Sequence, residues 1–449
     1  MISWKDTNGR LWSPLQHQKK SLSRWIENGY RLRCLHQTGS GKTYVFLFCY
    51  LYLYYTLNYF PKGIIVCTRT LEKTTWTPLL KLWGIDKYLK VDTYQKIHNS
   101  PEILKDKEFI AIDEDHYLGT YKAKMVKTFL EYSMDIPYKI TGTGTQEKGG
   151  IGDYFFSMKF LTGHDYSADK WMRSWGARYN LSLHKYLCSR ENLEKMLYFY
   201  EPLMETVFLS DVMELPKFKD ISVEMNLPKE QREAYDTFAY RDEYQLHALQ
   251  DLPAQVILRL ICSDVLPENE PTIKGKGQMH YKTKKVWDTK INKILDIVKK
   301  EDLPIIIWSR FRSFSDKLFH VLSETYRVQL WAGGTEKDLD KFDRGETDIV
   351  VASHQSVAEG MNLQRSHVAI FAHPDFDPTK YVQARYRIFR IGQKQLVKYY
   401  HLIYKDTIEE KIFKVLHGKQ KNQKKSLKKI AKIEAEKNKR KLLSDFNKK

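Results

Sequence analysis

His36-Gln37-Thr38-Gly39-Ser40-Gly41-Lys42-Thr43 follows a short apolar run and opens a stretch of helical periodicity. Strand, glycine-containing turn and helix in that order form the setting in which a phosphate-binding loop works. Glycines let backbone N–H groups close in on phosphate oxygens, and the helix N-terminus adds positive potential. Gly39, Ser40 and Gly41 would form that cradle. Lys42 is placed to reach the β- and γ-phosphates of ATP, and the Thr43 hydroxyl to ligate Mg²⁺. His36 stands where the general pattern has its first glycine.

About seventy residues downstream, Ile110-Ala111-Ile112-Asp113-Glu114-Asp115-His116 is an apolar strand ending in carboxylates. Alone, such a pair is commonly solvated. After a phosphate loop, Asp113 is expected to hold Mg²⁺, and Glu114 to polarise the attacking water as general base.

Working outward, short apolar runs alternate with amphipathic stretches, which predicts parallel sheets covered by helices. Candidate strands are Arg33–Leu35, Gly63–Cys67, Phe109–Ile112 and Tyr138–Thr141 in the first half. In the second half they are Pro304–Trp308, Asp348–Ala352, His367–Phe371 and Val397–Leu402. The fold class is therefore α/β with two parallel-sheet lobes, 1–164 and 276–416. Residues 165–275 read as helical insertions and a linker, with helices expected over Arg190–Tyr200 and Lys229–Gln250. Residues 417–449 form a Lys-rich tail.

The formal net charge is +19, of which the tail carries +10. Both parts are basic, so a polyanionic partner is expected whatever the tail does, and nucleic acid is the commonest. Five scattered cysteines without CxxC pairing argue against a disulfide framework or zinc module. They fit a reducing compartment: cytoplasm, nucleoid or nucleus. The opening residues lack the apolar core of a secretory leader, so secretion is not expected. Tyr44 to Phe60 carries no charge and approaches the length of a membrane span. Its tyrosines, Asn58 and its place after the loop favour a helix buried in a lobe.

With these residues in place, the chain resembles the Swi/Snf-type family of superfamily-two helicase-like DNA translocases. Asp113–His116 is a variant of its DEAH box. Gln18 in Leu15-Gln16-His17-Gln18 matches the adenine-reading glutamine. Ile64–Cys67 with Leu71, Trp76 and Trp83, then Thr93-Tyr94 and Thr141-Gly142-Thr143, follow in family order. Leu215-Pro216-Lys217, Gln231 and Tyr235 resemble the linker between lobes. In the second lobe, Ile305–Ser309 with Phe311, then Ser353, Gly360, Asn362 and Leu363, continue the likeness. Gln383-Ala384-Arg385-Tyr386-Arg387-Ile388-Phe389-Arg390-Ile391-Gly392-Gln393 matches QAxxRxxRxGQ, and Thr407–Ile412 the closing TxEExI.

The resemblance implies two RecA-like lobes and ATP hydrolysis with Mg²⁺, driving movement on double-stranded DNA by a monomer with no membrane partner. It implies that Gly360 and Gln383 join the nucleotide site. Arg387 and Arg390, three apart on a helix and sharing a face, would be arginine fingers, so hydrolysis would require lobe closure. Thr68, Arg69, Arg310, Arg312, Ser353, His354 and Gln355 would meet backbone phosphates, giving little sequence preference. Five departures stand out: Asp115 for the DEAH alanine, Gly144 for the proline after TGT, Tyr386 and Phe389 for a common Asp and His, and Phe208-Leu209-Ser210-Asp211 where an Arg-rich stretch often precedes the linker. None removes a phosphate, Mg²⁺ or finger residue. Two other readings stay open at this point: a strand-separating DNA or RNA helicase, and a non-hydrolysing nucleic-acid-binding module.

Overall fold

The computed structural model describes residues 2–119, 124–144, 151–181, 185–212, 217–239, 252–268, 272–274, 278–280, 282–332, 338–353, 363–374, 378–390, 393–414 and 416. Its contacts divide it into two units, the first ending at residue 214 and the second beginning at 215.

Each unit is built on one six-stranded sheet whose neighbouring strands all run parallel. In the first unit the strands are β1 (Arg31–His36), β2 (Gly63–Cys67), β3 (Leu89–Thr93), β4 (Phe109–Asp113), β5 (Tyr138–Gly142) and β6 (Met204–Val207). Their spatial order is β6-β1-β5-β4-β2-β3. Both faces are covered. Ile64, Val66, Ile110 and Ile112 belong to one core, while Ile65, Cys67, Phe109 and Ala111 belong to the other. That two-sided burial is why the central strands read as unbroken apolar runs.

Helix α1 (Gln16–Glu27) and helix α2 (Lys42–Leu57) lead into and out of the loop after β1. The apolar stretch after the loop is α2 itself, with Val45 to Leu51 buried among Leu22, Trp76 and Trp83. Among the described residues no helix is long and apolar enough to cross a membrane.

The second unit holds β7 (Phe218–Met225), β8 (Ile305–Ser309), β9 (Val328–Trp331), β10 (Ile349–Ser353), β11 (Val368–Phe371) and β12 (Val397–Tyr404). Their order is β7-β12-β11-β8-β10-β9. Linker-like residues are fastened into this unit. The Gln231 amide donates to the Ile261 carbonyl (2.6 Å) and Asp264 (2.9 Å), and the Tyr235 hydroxyl accepts from the Ile408 N–H (2.8 Å). In the TxEExI stretch, buried Glu409 meets buried Lys290 at 2.7 Å.

One expectation needs correction. The segment 165–275 holds the expected helix Arg190–Tyr200 and a helix over Lys229–Ala239, with 240–251 outside the described residues. It also supplies an edge strand to each sheet, β6 and β7. The tail 417–449 lies outside the described residues.

Candidate nucleotide-binding and hydrolysis site

β1 delivers the chain into the loop, and α2 begins at Lys42. Gly39 and Gly41 sit at φ +92° and +88°, a left-handed backbone that costs glycine nothing. Around the turn the loop is held from outside. The Ser40 carbonyl lies 2.8 Å from His17 Nε2, and the Gly41 carbonyl accepts from the Gln18 side-chain amide at 3.1 Å. Gln18 also accepts from the Leu15 N–H at 2.8 Å. This glutamine is buried and grips the loop itself. His36, in place of a glycine, is wholly buried, 3.4 Å from the Ser21 hydroxyl and 3.5 Å from Glu205 on β6. Its side chain fills a polar niche under the loop. The hydroxyls of Thr38 and Ser40 are buried without a hydrogen-bond partner among the described residues. Orphaned donors beneath a positive-φ turn suit an anion's oxygens.

The carboxylates meet Lys42. Its Nζ is 3.0 Å from Asp113 Oδ1 and 3.3 Å from Glu114 Oε1. Burial works against its charge, but the two acids outweigh burial and hold the ammonium well above its ordinary range. Asp113 is raised by burial, though Lys42 opposes the rise. For Glu114 burial is overcome by Lys42, His116 and Thr143, so its carboxyl lies well below the usual range. It is therefore ionised at neutral pH, as a general base must be.

Glu114 has φ +64°, a conformation costly for a side chain of that size. Its backbone N–H donates to the Gly142 carbonyl (2.8 Å), and the Thr143 hydroxyl donates to Glu114 Oε2 (3.0 Å). His116 Nδ1 lies 3.0 Å from Thr143 Oγ1 and 3.2 Å from Glu114 Oε2. The TGT and DEAH-like stretches thus form one bracket around the base. Asp113 is braced separately by Trp76 Nε1–H on Oδ2 (3.1 Å) and by the Tyr94 hydroxyl on its carbonyl (2.7 Å). A hydroxyl at the helix start, Thr43, and the Asp113 carboxylate form a hard-oxygen donor set fit for Mg²⁺, which keeps most of its shell as water and phosphate.

Two departures from the family pattern find their partners here. Asp115 is buried, and its carboxylate accepts two Arg33 N–H groups (2.8 and 3.0 Å) and the Ser157 hydroxyl (2.8 Å). Arg33 lies on β1 and Asp115 just past β4, so this ion pair crosses over β5 between them, while Ser157 reaches the carboxylate from helix α3 (Gly152–Thr162). At residue 144, a Cβ would lie 2.5 Å from Thr38 Oγ1, 3.1 Å from Thr38 N and 3.3 Å from the His36 carbonyl. Only glycine lets the two loops approach so closely.

In the second unit, helix α4 (Pro378–Ile388) carries Gln383 and Arg387, both buried. Arg390 lies two residues past the end of α4, so the picture of two arginines on one helix is corrected to one on the helix and one beyond it. The Phe389 N–H still reaches the Arg385 carbonyl (3.1 Å), after which the chain leaves. Gln393 pins this exit by donating to the carbonyls of Gln364 (2.9 Å) and Ser366 (2.8 Å). Gly360, Asn362, His354 and Gln355 lie outside the described residues.

The remaining phosphate-contact candidates fall at the carboxyl ends of parallel strands, where open α/β sheets bind ligands. Thr68 and Arg69 follow β2, Arg310 follows β8, and Ser353 ends β10. They also have local roles. Thr68 caps the turn of Arg69–Leu71, exposed Arg69 pairs with Glu72 (2.9 Å), and Arg312 pairs with Asp316 (2.7 Å). Sequence reasoning missed Arg33 and Glu205. A charged residue inside an apolar strand was the available signal, but nothing in the sequence names its partner.

Residues 85–266 match the SNF2-related domain and residues 289–392 the helicase conserved C-terminal domain. The CHD3-type chromatin-remodeling factor CHR7 of Arabidopsis thaliana is 22% identical over 352 residues, covering 73% of this chain and 28% of that protein. The SWI/SNF-related matrix-associated actin-dependent regulator of chromatin subfamily A member 1 of Mus musculus is 23% identical over 341 residues, covering 72% and 32%. The chain thus spans about a third of the length of these curated relatives. Among solved structures, the Sulfolobus solfataricus SWI2/SNF2 ATPase core in complex with dsDNA aligns over 95% of this chain and 94% of that one, with 18% identity and a TM-score of 0.43.

Proposed function

We propose that this chain, a member of the Swi/Snf-type family of helicase-like ATPases, hydrolyses ATP to move along duplex DNA and to remodel DNA or DNA–protein complexes. The observation that carries the reading is the closed triangle of Lys42, Asp113 and Glu114 under a turn with orphaned hydroxyls. A phosphate-seeking lysine set against two carboxylates placed to handle metal and water is the arrangement that phosphoryl transfer to water requires.

In this reading the backbone of Gly39–Gly41 and Lys42 take the phosphates, and Gln18 holds the loop in shape for them. Mg²⁺, when bound through Thr43 and Asp113, would neutralise phosphate charge. Glu114 orients the attacking water and accepts its proton at Oε1 or Oε2, and Thr143 and His116 keep its carboxylate ionised and aimed. Arg387 and Arg390 supply positive charge to the transferred phosphoryl group, and Gln383 and Gly360 assist. That assignment rests on the order of the QAxxRxxRxGQ residues. Thr68, Arg69, Arg310, Ser353, His354 and Gln355 take DNA phosphates. The relatives' names place those proteins on chromatin, and we extend a duplex-DNA substrate and a reducing, DNA-bearing compartment to this chain.

The test is Glu114→Gln, which keeps size and hydrogen bonding but removes the base. ATP binding should persist within about threefold, while turnover falls by about 10²-fold or more. Turnover retained in that variant refutes the assignment.

A further inference from the structure

Between Gln383 and Arg387 lies Arg385, which no motif position claims. Its guanidinium makes a two-pronged pair with Asp220 of β7, Nη1 to Oδ1 at 2.6 Å and Nη2 to Oδ2 at 3.1 Å. The same guanidinium sits 4.1 Å from the Tyr399 ring centroid, 4.9 Å from Phe218 and 5.5 Å from Tyr381. Nη1 also donates to the Tyr381 hydroxyl at 2.9 Å. At the other end of the residue, the Arg385 carbonyl accepts the Tyr399 hydroxyl at 2.9 Å. Asp220 has a second neighbour, His401 Nε2 at 3.1 Å, and His401 lies 3.2 Å from the Tyr381 hydroxyl. Burial would lift the Asp220 carboxyl, but His401 and Arg385 pull it down to about 2.

A surface ion pair contributes little. This one differs in kind, because a planar fork held between rings tolerates almost no rotation or slide. The Arg385 side chain is 13% exposed and that of Asp220 35%, so the fork is enclosed while its partner reaches the surface. The pair therefore fixes the rotation of α4 about its axis. Arg387 is two residues further along the same helix, so that rotation sets the direction in which its side chain leaves the backbone. Phe218 and Asp220 lie on β7, the first strand of the second unit, so α4 is referenced to that strand.

We propose that Arg385 is a positioning residue for ATP hydrolysis: by gripping Asp220 inside the Phe218–Tyr381–Tyr399 box, it aims Arg387. The inference rests on the arginine-finger reading above, and its test separates the two.

Steady-state ATP turnover of the full chain, with saturating duplex DNA, is compared for Arg385→Met, Asp220→Asn, Arg387→Ala and the double variant Arg385→Met/Arg387→Ala. Met keeps the apolar stem in the ring box and removes the fork. Both Arg385→Met and Asp220→Asn should lower kcat about tenfold with KM for ATP within twofold, and Arg385→Lys should restore only part of the loss. The double variant should be no slower than Arg387→Ala alone, because a residue that acts through another adds nothing once that other is gone. Turnover within twofold of the parent in Arg385→Met and Asp220→Asn overturns the proposal, as do losses that multiply in the double variant. Full turnover in Arg387→Ala overturns the finger reading, and the proposal with it.

Discussion

Asp115→Ala restores the alanine common in the DEAH box, yet here it should cost the first unit much of its stability. The magnitude follows from burial. The Arg33 and Asp115 side chains are 4% and 0% exposed, and the carboxylate answers two guanidinium N–H groups and the Ser157 hydroxyl. Removing the acid leaves a buried guanidinium without its counter-charge, and Arg33 Nη1 already has no hydrogen-bond partner among the described residues. Breaking one side of such a pair costs about 3–5 kcal/mol, against about 0–1 kcal/mol for an exposed pair. For a unit of this size, about 2–4 °C per kcal/mol converts the loss to a Tm drop of roughly 6–20 °C. Urea denaturation of the parent, Asp115→Ala, and Asp115→Ala with Arg33→Leu measures it. The double variant removes both charges and should recover about 2 kcal/mol or more of the single variant's loss. A single-variant loss below about 1 kcal/mol, or a double variant whose losses simply add, refutes the reasoning.

Gly144→Ala should raise the Kd for nucleotide by about tenfold, since a Cβ 2.5 Å from the Thr38 hydroxyl and 3.1 Å from its backbone nitrogen is accommodated by shifting Thr38 in the phosphate loop; isothermal titration with a non-hydrolysable nucleotide reads it directly. Unchanged affinity would mean that the close approach to Thr38 and His36 is dispensable. Lys139 on β5 is buried, and burial followed by the Arg31 charge pulls its ammonium down to about 8. Because that folded value lies below the ordinary 10.5, the folded state prefers the neutral amine. Its cost is fully present below about pH 8 and is relieved as pH rises toward 10.5. The Tm of the parent relative to Lys139→Met should therefore climb between pH 8 and 10, and a flat difference would contradict the assignment.

The interior of each sheet was legible in the sequence, and the rims were not. All eight strands expected from apolar runs are interior strands, because burial on two faces writes an unbroken apolar run. The four unread strands, β3, β6, β7 and β9, are the four sheet edges. Leu89–Thr93 and Phe218–Met225 alternate with polar residues, as half-exposed strands do. Met204–Val207 is fully buried but carries Glu205, whose charge is answered by His36 far away in the chain.

At the site the same division holds. The loop and the carboxylate pair were readable because phosphate and metal chemistry admit few residue types at that spacing. The meaning of Asp115 was not readable, since it depends on Arg33, eighty-two residues earlier. Gly144 is explained by what a Cβ would meet, which only coordinates reveal. Arg385 occupies an unspecified position between Gln383 and Arg387, and its meaning comes from Asp220, far upstream in the chain.

A motor of the proposed kind runs on intact duplex. Displacement of a labelled third strand from a DNA triplex tests it most directly, with Glu114→Gln as control and a forked duplex assayed in parallel. Release of the third strand should need ATP and duplex flanking the triplex, be lost in Glu114→Gln, and leave the fork paired. A forked duplex unwound while the triplex stays intact, or no nucleic-acid-dependent turnover of ATP, would contradict it.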